Sequence, residues 1–452
     1  MRVEFKFEYP YPFMTFDAAK AAARSYDYIV VGGGAAGCPL AATLSQHYSV
    51  LLLERGDSPY GNPDVEDFRA FFKLLGGPKN YPDVAQGFVS EDGMQLVRGR
   101  VLGGGTAINA GFYSRASSEY IGKMKWDKKL VNESYEWVEK LNVFKPEKLS
   151  TINSAIKDGL IEAGILPYNG YSLEHLEGTK IGASIFDKNG KRHTAADLLQ
   201  YANPHNIVVL LNATASKVLF KKASGKPKAI GVNITSGIDG LHIQVLLNKL
   251  STKNEVILSA GTLGSTQLLL LSGIGPVQQL KKLNIPIVLD LPSIGKNVQD
   301  NPIVNFIIES SKPLEFATTQ VVGILDDSNL YIEPLSFPQQ NNATNTQYLG
   351  FVADNGHSKI LRFLGTALPK NISNDDSLAK FCKDTLSTIF HYHGGCQVDL
   401  VVDKRYQVKG VDNLRVVDGS IYKDSPGTNP QATTMMLGRY MGVNIIQGRM
   451  KT

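Results

Sequence analysis

The stretch from Tyr26 to Glu54 leaves this 452-residue chain few architectures. Tyr26 to Val31 (YDYIVV) is a short apolar, β-branched run stopped by Gly32, and it reads as a buried strand. Ala35 to Gln46 has helix-forming composition, and Ser49 to Glu54 (SVLLLE) reads as a second buried strand. Strand, glycine turn, helix, strand is a βαβ unit, and such units build parallel sheets. The turn itself, Gly32-Gly33-Gly34-Ala35-Ala36-Gly37, is G-x-G-x-x-G with a strand before it and a helix after. In that setting Gly32 permits the tight turn, Gly34 lets backbone approach a pyrophosphate, and Gly37 lets helix and strand pack closely. The phosphates would rest on the helix N-terminus, where free N–H groups and the dipole favour anions. Glu54 follows Gly34 by twenty residues, where a carboxylate can accept both hydroxyls of an adenosine ribose. It would also repel a 2′-phosphate, which disfavours NADP. The motif leaves NAD and FAD both open.

Composition narrows the partners. With 43% hydrophobic and 20% charged residues the chain can bury a large core, in two domains or one elaborated α/β unit. Its 47 Lys and Arg against 42 Asp and Glu leave +5, no run of five like charges concentrates that excess, and nucleic acid is not an expected partner. Nowhere do eighteen apolar residues run together, so no membrane span is expected. Cys38, Cys382 and Cys396 lack metal-ligand spacing, so no metal site is expected, and Cys38 and Cys396 read as small packing residues beside glycines. Met1 to Ala23 holds no apolar stretch long enough for a secretory signal, yet Asn132, Asn212, Asn233, Asn342 and Asn371 each begin an N-x-Ser/Thr triplet. The sequence assigns neither compartment nor oligomeric state.

Beyond Glu54 the pattern stays mixed. Residues 57 to 98 look loop-rich; Lys128 to Leu141 and Lys145 to Ala163 carry helical spacing. Thr194-Ala-Ala-Asp197 has the spacing of a capping box with Thr194 as cap. Ile207 to Phe220, Ala229 to Ile234 and His242 to Leu247 read as successive strands, and Glu255 to Ser259 as a buried strand entering a glycine turn and the helix Ser265 to Leu271. Phe337 to Asp354 is polar and Asn/Gln-rich, like an insertion or loop; Leu414 to Val417 returns as a strand before a helix at Ala432 to Gln447.

A second glycine cluster, Arg98 to Arg115 (RGRVLGGGTAINAGFYSR), cannot be a helix interior, and its apolar Val101, Leu102 and Ile108 suit a backbone lying flat against a ring system. Gly261-Thr-Leu-Gly-Ser265 leads into LLLLSGIG, ending at Gly275; His391-Tyr-His-Gly-Gly-Cys396 and Asp418-Gly-Ser420 precede Gly427-Thr-Asn429-Pro-Gln-Ala-Thr433. On these residues the sequence resembles the glucose–methanol–choline (GMC) flavoprotein oxidoreductases, and within them the plant Hothead-like proteins and the flavin-containing hydroxynitrile lyases. Arg98 to Arg115 is similar to the family's first signature and Gly261 to Gly275 to its second, with Thr266 where Pro or Ser is usual. The resemblance spans about Tyr26 to Arg449, with four motifs in family order.

It implies an α/β fold with an FAD-binding Rossmann-like domain at 20–125, 207–310 and 385–450, and an α+β substrate-binding domain at 126–206 and 311–384. It selects FAD over NAD. Besides Gly32, Gly34 and Gly37, the residues it sets along the FAD are Ala35, Ala36, Glu54, Arg55, Val101, Asn109, Ala110, Val218, Gly419, Pro430 and Gln431. Some relatives hold flavin covalently through a histidine where this chain has Ile108, so non-covalent FAD is expected. The histidine that faces the flavin corresponds to His391, with His393 in a substrate-lining role and Asn429 in the partner position that relatives fill with His or Asn. Imidazole, with an ordinary pKa of about 6.5, suits a base that takes an alcohol's proton while its carbon gives hydride to flavin N5. The Asn429 amide can donate to the developing alkoxide without titrating, and Asn-Pro also makes the turn that aims it.

The implied activity is FAD-dependent oxidation of the CH–OH group of a small-molecule alcohol; alternatives are a hydroxynitrile (mandelonitrile) lyase and an inactive truncated paralogue. The chain is shorter than usual between about Ser336 and Asn371, so a truncated substrate domain is expected. Cys382 matches a cysteine that pairs within that stretch in relatives, and is expected here as a free thiol.

Overall fold

The computed structural model describes residues 8–74, 83–91, 93–222, 225–304, 315–325, 330–341, 344–348, 371, 373–427 and 429–451. At its centre a six-stranded, wholly parallel sheet runs in the order Met14–Thr15, Ile207–Leu210, Val50–Leu53, Tyr28–Val31, Glu255–Leu258, Leu414–Val416. Every residue of the three central strands is buried, as expected where helices cover both faces of a parallel sheet. The helix Gly37–Leu44 leaves the first of them, and the C-terminal helix Gln431–Met450 packs across it. Gly438 permits that crossing, because a Cβ there would lie 2.2 Å from the Ala36 carbonyl oxygen. One ion pair lies inside the sheet, where Arg415 donates from Nε and Nη2 to the two Glu255 oxygens on the neighbouring strand, both at 2.8 Å.

Two further sheets flank this core. Ala213–Lys222, Pro227–Ser236 and His242–Leu247 form an antiparallel meander, extended in parallel by Ser25–Tyr26. Leu330–Ile332, Val321–Leu325, Gly178–Ile181 and Tyr168–Tyr171 make the other. Helices Lys128–Asn142 and Thr151–Glu162 complete that side, the first tied to the C-terminal helix by Tyr135 and Thr433 hydroxyls 2.9 Å apart.

Several elements depart from the sequence reading. The strand expected at 207–220 is two strands of different sheets, parted where Asn212 takes a left-handed φ of 52°. The helix expected from Lys145 begins only at Thr151, because the Ser150 side chain caps it by accepting from Asn153 N–H. Thr194 caps a 3₁₀ helix, Ala195–Tyr201, by accepting from Ala196 N–H, and the capping box does not close. Its intended partner Asp197 is drawn off by His193 Nδ1 at 2.8 Å and the Tyr60 hydroxyl at 2.9 Å. Within the loop-rich 57–98 the structure has a hairpin, Ala85–Val89 with Gln95–Gly99. Phe337–Asn341 pairs with Thr344–Tyr348 in another, where an insertion or loop was expected; the rest of that stretch lies outside the described residues. Cys382 is exposed, and all three cysteines are free. Among the described residues no helix is long and apolar enough to cross a membrane, and no cluster of metal-ligating side chains occurs.

Candidate active site

The two glycine loops named from sequence meet. Gly103 N–H donates to the Gly33 carbonyl at 2.7 Å, and Leu102 N–H to the Asp57 carbonyl at 3.0 Å, which seats Val101 and Leu102 in the core under the first loop. Gly37 has no alternative: a Cβ there would fall 1.9 Å from the Gly32 oxygen. Gly34 is different, its nearest neighbour being Gly104 Cα at 3.8 Å, so the backbone there is open to a ligand. The helix that follows starts at Ala36 with no side-chain cap, and so do the helices Gly261–Leu271 and Gln431–Met450, whose N-caps are Ala260 and Pro430. None of these N-cap residues supplies a side-chain acceptor, although the Asp418 carboxylate takes Gly261 N–H at 3.0 Å and Ser265 Oγ takes Ala260 N–H at 3.0 Å at the second of these helix starts.

Glu54 ends its strand under the loop, accepting from Gly33 N–H at 3.0 Å and Gly56 N–H at 2.8 Å. Burial pushes its carboxyl above the usual range, against those N–H groups and Arg55. Arg55 donates to Gln86 Oε1 at 2.5 Å and to the Gly99 carbonyl, and Arg98 reaches the same Gln86 oxygen at 2.9 and 3.0 Å. Burial, then the Arg98 charge, pulls Arg55 down to about 10; among the described residues neither arginine makes a salt bridge. Open glycine backbone, helix starts without N-cap side chains and two guanidinium groups that share only the Glu54 carboxyl as a nearby favourable charge fit a dianionic diphosphate.

Along the second loop, Asn109 donates from Nδ2 to Gln431 Oε1 at 2.9 Å and accepts at Oδ1 from Gly111 N–H and Arg192 Nη1, at 3.1 and 3.0 Å. Gln431 in turn donates to the Phe112 carbonyl. Ala110 and Pro430 are half-buried beside this bridge, and Gly419 sits in the buried turn that opens with Asp418. Val218 is fully buried in the meander and its N–H is taken by the Ser272 hydroxyl at 2.9 Å, so that donor is not free for an adenine.

His391 follows a strained residue, since Phe390 adopts a left-handed φ of 63° that a bulky side chain seldom takes. The turn it makes is held by Asp300, whose carboxylate accepts from His391 N–H at 2.7 Å, from Asn301 N–H at 2.8 Å and from the Thr388 hydroxyl. Burial pushes Asp300 up to about 7. At its Nδ1 the His391 ring meets the Asn301 amide nitrogen at 3.3 Å and the Tyr331 hydroxyl at 3.4 Å. Burial, then the neighbouring His393, pulls its pKa down to about 3, so the imidazole is neutral. His393 itself is 4% exposed and its Nδ1 lies 3.0 Å from the His391 carbonyl oxygen.

Asn429 is half-buried, and its Oδ1 has no hydrogen-bond partner. Its side chain hydrogen-bonds Glu333, a buried carboxyl that burial raises to about 7 while that bond pulls it down. Glu333 Oε1 and Asn301 Oδ1 are likewise buried without partners. Sequence reasoning named His391 and Asn429 but missed Asp300, Asn301, Tyr331 and Glu333. The first two carried a signal, since Asp300-Asn301-Pro302 repeats the Asn-Pro pair at 429–430; Tyr331 and Glu333 carried none.

The family model described as GMC oxidoreductase matches residues 26–303, and its C-terminal counterpart matches 359–438. Protein HOTHEAD and an (R)-mandelonitrile lyase-like protein, both from Arabidopsis thaliana, are 39% and 42% identical, each over 94% of this chain and over 89% and 90% of their own lengths. The sinalpyl alcohol oxidase Nec3 of Nesocodon mauritianus is 39% identical over 94% of this chain and 89% of its own. Those alignments run over 532, 504 and 505 positions against 452 residues here, so the relatives hold stretches this chain lacks. In fold, the crystal structure of pyridoxine 4-oxidase from Mesorbium loti superposes with a TM-score of 0.74 at 20% identity, over 92% of this chain and 98% of that one.

Proposed function

The chain belongs to the GMC oxidoreductase family, and on that premise we propose that it is an FAD-dependent oxidoreductase acting on the CH–OH group of an alcohol. The single observation that carries this is that Asn301 and Tyr331 hold the His391 ring while Glu333, two residues after Tyr331, holds Asn429. Gly32, Gly34, Ala35, Ala36 and Gly37 with Arg55 would hold the diphosphate, Glu54 the ribose, and Val101, Asn109, Ala110, Gly419, Pro430 and Gln431 the ring system. With Ile108 in the loop, the cofactor is held non-covalently. When bound, FAD supplies the two-electron acceptor for the carbinol carbon.

The chain's own part is to place and deprotonate the alcohol. His391 is neutral, and Asn301 and Tyr331 fix its ring through Nδ1, so Nε2 is the nitrogen left to take the hydroxyl proton. For that, Nδ1 must carry hydrogen. The Tyr331 hydroxyl oxygen, 3.4 Å away, can accept that hydrogen. Asn429, with one amide hydrogen engaged by Glu333, keeps a second for the oxygen that becomes negative. The domain division 20–125, 207–310 and 385–450 against 126–206 and 311–384 accords with the sheets: the parallel sheet, Met14–Thr15 aside, falls in the first set and the 168–181 and 321–332 strands in the second.

A second reading, a hydroxynitrile lyase, is favoured by the 42% identity to the mandelonitrile lyase-like protein. One experiment separates them. The purified protein is examined by visible spectroscopy and mixed anaerobically with candidate alcohols. Bleaching of the flavin band supports the oxidoreductase, a yellow unresponsive protein that releases cyanide from mandelonitrile supports the lyase, and a colourless protein overturns both.

A further inference from the structure

Arg192 is 3% exposed and stands directly behind the second glycine loop. Its guanidinium donates from Nε to the Val65 carbonyl at 3.0 Å and from Nη1 to the Thr106 carbonyl at 3.1 Å and Asn109 Oδ1 at 3.0 Å. It lies over the Phe186 ring, 4.4 Å from the centroid. Beside it, Lys191 pairs with Glu66 at 3.1 Å, and His193 Nδ1 lies 2.8 Å from Asp197 Oδ2. Arg192 has no such match among the described residues, and burial alone pulls its pKa down to about 9, which leaves it protonated. A buried cation held only by neutral oxygens is costly unless some anion completes it. The direction in which that anion would lie is marked by the bonding, since Arg192 grips Asn109, Asn109 grips Gln431, and both are residues assigned above to the flavin ring.

We propose that Arg192 is a positioning residue of the cofactor cradle, which locks the Asn109 amide through Oδ1 and lends the ring an uncompensated positive charge that favours reduced over oxidised flavin. The inference rests on the FAD reading. Its physical basis is charge balance, because two electrons and one proton added to the ring leave one net negative charge more than before. That extra charge interacts favourably with a fixed guanidinium in a dry setting. Asn109 is held at both ends, and loss of Arg192 leaves its oxygen to Gly111 N–H alone.

The test compares the flavin-loaded parent with Arg192→Gln and Arg192→Lys, the bound flavin's midpoint potential being read by dye equilibration at one pH and salt. Arg192→Gln is expected to favour reduced flavin at least tenfold less, which for a two-electron couple is about 30 mV lower. Arg192→Lys, which keeps the charge but not the planar fork, is expected to stay within about threefold of the parent while releasing flavin faster. A yellow Arg192→Gln protein with the parental potential overturns the inference and leaves the flavin reading intact. If that variant holds no flavin, the parent alone decides, from its potential between about pH 5 and 6.5. An anionic reduced ring gives a slope of about 30 mV per pH unit, and a neutral one, about 59 mV per unit, overturns the proposal. A colourless parent overturns both readings together.

Discussion

Replacing Glu333 by glutamine isolates what its buried carboxyl does. Glutamine keeps the shape and an oxygen able to accept from the Asn429 amide, and removes only the ionisation. Burial raises Glu333 from 4.5 to about 7. At about 1.4 kcal/mol per pKa unit, keeping the ionised side chain in that place costs the fold roughly 3 kcal/mol. Between those two pH values the folded protein retains a proton that the unfolded chain has already released, so stability falls as pH rises. None of the loss is present below about pH 4.5 and all of it above about pH 7. Glu333→Gln should therefore match the parent near pH 4.5 and exceed it by up to roughly 3 kcal/mol near pH 8. Asp300, raised for the same reason, titrates in both proteins and cancels in the difference. Thermal unfolding at the two pH values, with equal flavin loading, reads this as a Tm gap that opens by a few degrees on going alkaline. A gap of the same size at both pH values would refute the reasoning, because it would show that the carboxyl ionises as freely in the fold as in water.

Three other changes probe the site and its frame. His391→Ala should leave flavin bound while slowing anaerobic reduction by alcohol about 10²- to 10⁴-fold; rates that match the parent would remove His391 from its role as base. Because the His391 ring is already neutral above about pH 3, a limb of the parent's reduction rate near pH 7 should come from Asp300 or Glu333, both raised to about 7, and stopped-flow measurement should find it altered in Glu333→Gln if Glu333 is its source. Gly37→Ala drives a Cβ to within 1.9 Å of the Gly32 oxygen, so the purified variant should be colourless or flavin-poor by its visible spectrum; full flavin content would mean the loop has slack. Arg415→Met strands Glu255 in the parallel sheet without its bidentate partner and should cost about 3–5 kcal/mol in urea unfolding, an expectation that fails if the variant unfolds at the parental midpoint.

What could be read from the sequence was whatever the backbone itself must do. Where chain meets chain too closely for a side chain, as at Gly37 and Gly438, glycine is obligatory and visible, and the alternation of apolar runs with such glycines gave the parallel sheet and the cofactor cradle. Buried polar side chains have no such mark. Arg192, Asn301 and Glu333 look like surface residues in sequence, and their burial arises only when segments far apart in the chain close over them. Competition misled the reading in the same way. Asp197 was expected to serve the backbone at Thr194, but His193 and Tyr60, the latter 137 positions away, hold its carboxylate instead.

The proposed catalytic pair shows why those hidden residues matter. His391 and Asn429 lie in separate loops, and neither loop fixes its own side chain: Asn301 and Tyr331 hold the first and Glu333 the second. Tyr331 lies in the short strand Leu330–Ile332 and Glu333 directly follows it, one reaching each member of the pair. A slip of that strand by a single residue against Val321–Leu325 would turn both away together. The sheet that includes Leu330–Ile332 therefore carries the contacts that position both members of the proposed pair. A damaged register there would leave flavin bound in its cradle, and would disarm the base and its partner in one step.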